Sequence, residues 1–509
     1  MSLALVYTRA KLGIDAPLVS VEVHLSNGLP SLAIVGLPET AVKESKDRVR
    51  SAILNSQFDF PARRITVNLA PADLPKDGGR YDLAIAIGIL AASGQIPSDI
   101  LSRYELLGEL ALSGELRPVS GCLPAAIAAT HSKRQLLLPA ANVTEAALCE
   151  GAEVFGAPSL LAVCAHLQQR QLLPLTPHAL FTHTPIRSNN DLRDIKGQVH
   201  AKRALEIAAS GNHHLLLYGP PGTGKTMLAS RLTDILPPLT QNEALEVATI
   251  KSVSDSQPLT SYPPRPFRAP HHSASAAALV GGGSQPKPGE ISLAHRGVLF
   301  LDELPEYPRQ VLEVLREPLE SGEIRISRVE AQVCYPASFQ LIAAMNPCPC
   351  GYFATTEKAQ PNRCRCTPDQ VQRYRNKISG PLLDRIDLQV GVQALQAGEL
   401  YAEAAGESSA QVQQRVIAAR QRQLARQGKT TAELSVRELD EICRLNSAQQ
   451  ALLQSAVERL GLSARGSHRI IKVARTLADM EGSVAIADKH LIEALGYRQF
   501  ERQRLSTFS

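Results

Sequence analysis

Apolar and polar positions along the first third of the chain follow two periods. Val19-Ser20-Val21-Glu22-Val23-His24-Leu25 alternates at period two, the mark of a strand with one buried face, and Ile65-Thr66-Val67-Asn68-Leu69 repeats the pattern. Between them, residues 38–56 place Val42, Val49 and Ile53 on one face of a predicted helix. Residues 83–92 are apolar throughout, and Asp82 stands where an N-cap belongs. That run is too short to cross a bilayer. Together these patterns predict a compact α/β unit over residues 1–168.

Residues 169–192 carry Pro174, Pro177 and Pro185 with few periodic apolar positions, and read as a linker. Three strand signals follow: Leu215-Leu216-Leu217-Tyr218, Val298-Leu299-Phe300-Leu301 and Phe339-Gln340-Leu341-Ile342-Ala343-Ala344-Met345. A helix is expected over 308–321 and a β-hairpin with charge at its turn over 323–333. From residue 396 to 509 Ala, Gln, Arg and Leu dominate a helical pattern. Within it Arg415, Arg420, Arg422 and Arg426 have no acid between them, which reads either as a solvated helix face or as a phosphate-contacting stripe.

Each of the three strands ends on polar chemistry. The first runs into Gly219-Pro220-Pro221-Gly222-Thr223-Gly224-Lys225-Thr226, which fits the phosphate-loop pattern. Met227, Leu228, Leu232 and Ile235 then continue at helical spacing. Alone the string could be a Gly/Pro turn; between a strand and a helix it becomes a site for a nucleoside triphosphate. Its glycines let backbone N–H groups face a polyphosphate, Lys225 reaches the β- and γ-phosphates, and the Thr226 hydroxyl holds Mg²⁺. The second strand ends on Asp302, suited to the Mg²⁺ shell, and Glu303, suited to activating or positioning water. The third ends on Asn346, which either senses the γ-phosphate or simply opens a turn.

Composition narrows the partners. The chain has 509 residues, room for two to four domains, and a net charge of +5. There is no Trp and aromatics make up 4%, so binding of single strands by base stacking is not expected, and nucleic-acid contact would be to phosphates. The N-terminus lacks the pattern of a signal peptide, so a cytoplasmic location without membrane association is expected. Nine cysteines do not suit a disulfide framework. Cys348-Pro349-Cys350 and Cys364-Arg365-Cys366, separated by thirteen residues, fit a tetrahedral Zn²⁺ site or, alternatively, reduced free thiols. C-x-C is a tighter pair than the usual C-x-x-C.

These residues resemble the magnesium-chelatase-like branch of the AAA+ ATPases. Asp194-Ile195-Lys196-Gly197-Gln198 looks like the opening box of that branch, and Ser379-Gly380-Pro381-Leu382-Leu383-Asp384-Arg385-Ile386-Asp387 looks like its arginine-finger segment. The resemblance implies that Arg385 reaches the γ-phosphate of a neighbouring subunit; an ion pair with Asp384 or Asp387 is the alternative. Ser463-Ala464-Arg465-Gly466 resembles a second sensor, carried by Arg465 with Arg469 as substitute. In related helicases the hairpin before the first sensor projects into a ring pore, which implies DNA contacts for Arg328 and its neighbour Arg325. His271 and His272 fall in a further insertion, as a surface pair or as metal ligands.

Residues 65–141 resemble the proteolytic domain of Lon and the related domain of the RadA recombination factor. Pro75-Lys76-Asp77-Gly78 leads to Arg80 at the position of the catalytic serine. The stretch from Gly108 to Val119 leads to Pro124 at the position of the lysine. A Ser–Lys mechanism needs both groups, so peptidase activity is not expected. The chain as a whole, including Thr8-Arg9-Ala10, Gly36-Leu37-Pro38-Glu39-Thr40 and Asn68-Leu69-Ala70-Pro71, resembles the ComM/YifB family. That resemblance implies a Lon-like α+β domain (1–168), a linker (169–192), an AAA+ α/β core (193–395) with a zinc insert (346–368), and a helical lid (396–509). It implies a homo-hexameric, ATP-dependent helicase acting on single-stranded, forked or branched DNA, promoting branch migration as incoming DNA is integrated during natural transformation. The alternative is a chelatase-like or chaperone-like ATPase that remodels a protein partner without DNA.

Overall fold

The computed structural model describes residues 3–35, 40–74, 76, 78–181, 191–255, 257–283, 286–327, 332–353, 363–394 and 406–498. The N-terminal unit is built on a seven-stranded sheet, in the order Ser31–Val35, Arg64–Ala70, Leu18–Ser26, Leu3–Arg9, Tyr104–Leu106, Gln135–Pro139, Val154–Ala157. The period-two strand Leu18–Ser26 lies between two antiparallel neighbours, with Val21 opposite both Val6 and Leu69. Its alternate residues Val19, Val21, Val23 and Leu25 enter the core, as the alternation requires. The helix Asp82–Ala92 is buried along its whole length.

Asp82 is not the N-cap expected of it. It is the first helical residue, and its buried carboxylate accepts from Arg48 Nε at 2.9 Å and from the Leu110 N–H at 3.3 Å. The need to satisfy a buried charge outweighs capping here. The helix expected over 38–56 is observed as Thr40–Asn55, with Val49 and Ile53 buried; the side chain of Val42 lies outside the described residues. The first part of the linker-like stretch is bonded back to the N-terminal unit, through Thr176 N–H to the Val154 carbonyl and Ala179 N–H to the Ala147 carbonyl. Residues 182–190 lie outside the description.

A second sheet has five parallel strands, ordered Phe267–Arg268, Val298–Leu301, Gln340–Met345, Leu215–Tyr218, Leu388–Gly391. Its three central strands are almost entirely buried, which explains why they read as unbroken apolar runs. Because all strands point one way, their C-terminal ends form a single edge. Phe339 precedes its strand; Gln340 opens it and donates from its buried amide to the carbonyls of Ala208 and His213.

The single helix expected over 308–321 is instead two short ones, Arg309–Glu313 and Pro318–Ser321. Pro318 lacks the N–H that a continuous helix would need there. The hairpin is present as Glu323–Ser327 paired with Gln332–Pro336; residues 328–331, and so Arg328, lie outside the described residues.

The C-terminal region is helical: Ser409–Gln427, Val436–Ile442, Ser447–Leu460, Ala464–Met480 and Asp488–Gly496. Three of these helices begin with reciprocal capping boxes, Ser408/Gln411, Ser435/Glu438 and Asn446/Gln449. Arg415, Arg422 and Arg426 of the arginine run are exposed and Arg420 is half-buried, yet all four are engaged with protein partners. Arg415 pairs with Glu206 and Glu407, Arg420 donates to the Ala209 carbonyl, Arg422 to the Asp479 carbonyl, and Arg426 to both Asp479 oxygens. The run fastens the helices to each other and to the helix Val199–Gly211. Among the described residues, no helix is long and apolar enough to cross a membrane.

One half-buried imidazole makes the fold pH-sensitive. His214 Nδ1 accepts from the Leu341 N–H at 3.1 Å, and burial pulls its pKa from 6.5 down to about 4. The folded value lies below the unfolded one, so stability is full above pH 6.5 and falls as pH drops towards 4. Up to about 3 kcal/mol is expected to be lost across that window. Thermal midpoints measured from pH 7 to 4 check this, and His214→Asn, which keeps an acceptor but cannot be protonated, should flatten the curve.

Candidate active site

The shared C-terminal edge of the five-stranded sheet gathers the expected chemistry. The loop of residues 219–226 joins the inner strand Leu215–Tyr218 to the short helix Lys225–Ser230. Gly224 precedes that helix with φ 84°, a conformation in which a Cβ is strained. The helical spacing is only partly as expected. Leu228, Leu232 and Ile235 are buried, whereas Met227 is exposed and the helix breaks before Leu232–Ile235.

Lys225 is almost fully buried, and its ammonium is held by three oxygens: the carbonyls of Gly219 (2.9 Å) and Pro220 (2.8 Å) and Asn346 Oδ1 (3.1 Å). Burial lowers its pKa, with Asp302 and Glu303 opposing that shift. Thr223 Oγ1 donates to the Pro220 carbonyl, bracing the loop. Thr226 Oγ1 donates to Asp302 Oδ2 at 2.8 Å. Lys225, Thr226, Asp302 and Asn346, drawn from three strands and one loop, therefore meet at one place. A buried cation on carbonyl oxygens, beside a hydroxyl–carboxylate pair, is a donor set that fits a nucleoside triphosphate with Mg²⁺.

Glu303 follows directly and takes the left-handed conformation, φ 51° and ψ 47°, which a non-glycine residue adopts at a cost. Its carboxylate lies 3.4 Å from His272 Nδ1. His272 stacks on His271 and packs edge-on to Tyr307, whose hydroxyl is tied to the Pro270 carbonyl. The histidine pair is thus part of the site, and the partner of one member is a carboxylate. In the sequence only the doublet was visible; the parallel pairing of Phe267–Arg268 with Val298–Leu301 is what brings it to Glu303.

The expected arginines stand elsewhere. Arg385 is buried, with Nη1 on the Pro381 carbonyl at 2.6 Å and Nη2 paired with Glu320. It pairs with neither Asp384 nor Asp387. Arg465 is exposed and lies 3.9 Å from the same Glu320. Arg469 bonds Asp387 at 2.7 Å. Burial works against the Asp387 charge, yet Arg469 and His213 hold its carboxyl well below the usual range. Ser463, the N-cap of Ala464–Met480, adds a bond to Asp384. Among the described contacts, none joins Arg385 or Arg465 to this chain's own phosphate loop. Arg325 lies on the exposed face of the hairpin beside Glu323.

The four cysteines converge. Their sulfurs lie within 4.8 Å of one another, at 3.3 Å for Cys348–Cys350, 3.8 Å for Cys348–Cys364 and 3.5 Å for Cys350–Cys364. Four thiolates around tetrahedral Zn²⁺ sit about 3.8 Å apart, so Cys348, Cys350, Cys364 and Cys366 fit that ion. Gly351 turns the chain at φ 88°, and a Cβ there would fall 2.6 Å from Pro221 Cδ, so the cluster sits directly on the phosphate loop. Residues 354–362 of this insert lie outside the description. In the N-terminal unit, Arg80 is buried with Nη1 3.4 Å from the Ser120 carbonyl, and Pro124 is buried in the helix Cys122–His131.

A phosphate loop after an inner strand of a parallel sheet, with a polar residue ending the neighbouring strand and a carboxylate pair ending the strand beyond it, defines a phosphate-loop nucleoside triphosphatase. Residues 191–400 match the family described as magnesium chelatase, subunit ChlI; residues 406–498 match its C-terminal region, and residues 21–142 match subunit ChlI of Mg-chelatase. The chain is 53% identical to the competence protein ComM of Haemophilus influenzae, over 99% of this chain and all of that protein. It is 52% identical to the YifB protein of Escherichia coli, over 99% of this chain and 98% of the relative. A shorter match, 31% identity over 133 residues and 24% of each chain, is to Lon protease 2 of Bacillus subtilis. The chain therefore belongs to the ComM/YifB family, in the magnesium-chelatase-like branch of the AAA+ ATPases, with a Lon-like N-terminal region. Membership implies ATP and Mg²⁺ as ligands.

Metal analysis of the purified chain should find one zinc per chain. Cys364→Ser with Cys366→Ser should remove it and lower the thermal midpoint by several degrees. Clearly substoichiometric zinc would leave the cluster as free thiols.

Proposed function

We propose that the chain is the subunit of a homo-hexameric ring that hydrolyses ATP to move along branched DNA and drive branch migration. The observation that carries this reading is that Lys225, Thr226, Asp302, Glu303 and Asn346 are gathered at one edge, while Arg385 and Arg465 of the same chain are held away on Glu320. Such a site lacks a second cation for the γ-phosphate, and a neighbouring copy would supply it. The printed name of the Haemophilus influenzae relative, a competence protein, supports DNA as the substrate.

In this reading bound ATP supplies the phosphoryl group that is transferred, and Thr226 and Asp302 hold its Mg²⁺. Lys225 exchanges its carbonyl partners for phosphate oxygens. Asn346, already bonded to Lys225, reports whether the γ-phosphate is present. Glu303 orients the attacking water and accepts its proton, and His272 fixes the rotamer of Glu303. Arg385 of one copy, released from Glu320, stabilises charge on the neighbour's phosphate, and Arg465 follows the same phosphate from the helical lid. Arg325 and Arg328 on the hairpin grip the DNA backbone. Cys348, Cys350, Cys364 and Cys366 would hold a structural zinc, and Gly351 between them packs on Pro221 of the phosphate loop.

ATP turnover without DNA and with single-stranded, forked and four-way-junction DNA tests the proposal. Branched DNA should raise turnover several-fold and be unwound or migrated. Lys225→Ala should abolish turnover, and Arg385→Ala should lower it by roughly 10³-fold with little effect on ATP binding. His272→Ala should lower kcat more than it raises KM and shift the pH profile, because it acts through Glu303. If no DNA stimulates turnover or is remodelled, the motor reading fails and remodelling of a protein partner takes its place.

A further inference from the structure

The edge of the five-stranded sheet opposite the phosphate loop also carries unspent charge. A cavity of about 370 Å³ opens there, between the starts of the strands Val298–Leu301 and Gln340–Met345 and the helix Ser409–Gln427. Arg265 and Arg296 line it from the ATPase side, and Arg420 and Lys429 from the helical side. The carboxylates in its wall are Glu243 and Glu433, and both are engaged as caps. Glu243 accepts from the Thr240 N–H at 2.9 Å and hydroxyl at 3.2 Å, and Glu433 from the Thr430 N–H at 3.0 Å and hydroxyl at 2.9 Å. Arg296 pairs with Glu246 and also lies 4.0 Å from Glu243, and Lys429 pairs with Glu438.

Among the described residues, no carboxylate is hydrogen-bonded to Arg265 or Arg420, although the charge of Glu243 acts on both and that of Glu433 on Arg420. Arg265 donates to the carbonyls of Arg296 and Pro237, and Arg420 to that of Ala209. Arg265 Nε and Arg420 Nη2 are buried with no hydrogen-bond partner. Burial pulls Arg265 down to about 10, and burial together with the charge of Arg265 pulls Arg420 down to about 9; both remain cationic at pH 7. Two guanidinium groups facing one cavity, each with a spare buried donor, are costly when empty, because buried donors and charges need partners. Guanidinium forks match tetrahedral oxyanions better than any neutral group does.

We propose that this cavity is a second anion site, separate from the ATP site, which binds a phosphate dianion through Arg265 and Arg420. The cavity has room for inorganic phosphate or a small phosphate monoester. Since Arg265 belongs to the ATPase sheet and Arg420 to the helical region, the bound ion would lock the two together.

The test is isothermal titration of the full chain carrying Lys225→Ala, so that the phosphate loop does not contribute, at fixed ionic strength. Inorganic phosphate and glycerol phosphate are titrated separately; the tighter of the two identifies the source. One saturable site per chain is expected. Arg420→Gln should weaken binding about tenfold, one charge-assisted contact's worth. Lys429→Gln, a change at the partly exposed rim, should weaken it about threefold and decides the matter should Arg420→Gln fail to fold. Absence of saturable binding by both compounds overturns the proposal. So does a dissociation constant that stays within twofold in every variant that folds.

Discussion

The ammonium of Lys225 is the point on which the site turns. It is buried, it carries charge, and nothing apolar can neutralise it. The chain meets that demand with two carbonyls of its own loop and the amide of Asn346. Meeting it fixes where the loop must fold back and where the strand Gln340–Met345 must end. Asp302 then falls opposite Thr226 because Val298–Leu301 is parallel to Gln340–Met345, with Leu301 opposite Ala343. A polyphosphate offers the same ammonium better acceptors, so the arrangement that stabilises the empty loop is also the one poised to release its lysine.

A second buried charge plays the corresponding part for the helical region. Asp387 accepts from Arg469 and from the backbone N–H of His214, two residues that share no element. Ser463 reaches Asp384 from the same helix. The segment that carries Arg385 is therefore bolted to the helix that carries Arg465, and both arginines converge on Glu320. A movement of the lid relative to the sheet would move both arginines together. The Lon-like unit is fastened to the ATPase by different means: the Gly121 N–H on the Ser252 carbonyl, and Glu145 with Ser252 Oγ.

Motifs whose chemistry is local were legible in the sequence. The phosphate loop, the Asp302–Glu303 pair and the cysteine pairs are short strings whose function depends on adjacent residues, and the structure brings each set together. Features that depend on tertiary pairing were not legible. His272 meets Glu303 only because two strands lie side by side. Asp82 looked like a cap because capping residues and buried ion-pair residues share one chemistry. The arginine run is largely exposed, as it read, but its pairing was not legible because its acids, Glu206 and Asp479, are far away in sequence. Pro318 was visible, yet its break in the helix was lost in an otherwise helical pattern.

The central claim of the proposed function is that an ATP site is complete only between two copies of the chain. Mixing tests it most directly. Chains carrying Lys225→Ala and chains carrying Arg385→Ala, each inactive alone, are combined in equal amounts and DNA-stimulated ATP turnover is measured. The account predicts that the mixture recovers a substantial fraction of wild-type turnover, because some interfaces pair an intact Lys225 with an intact Arg385. A mixture no more active than the sum of its inactive parts would contradict it.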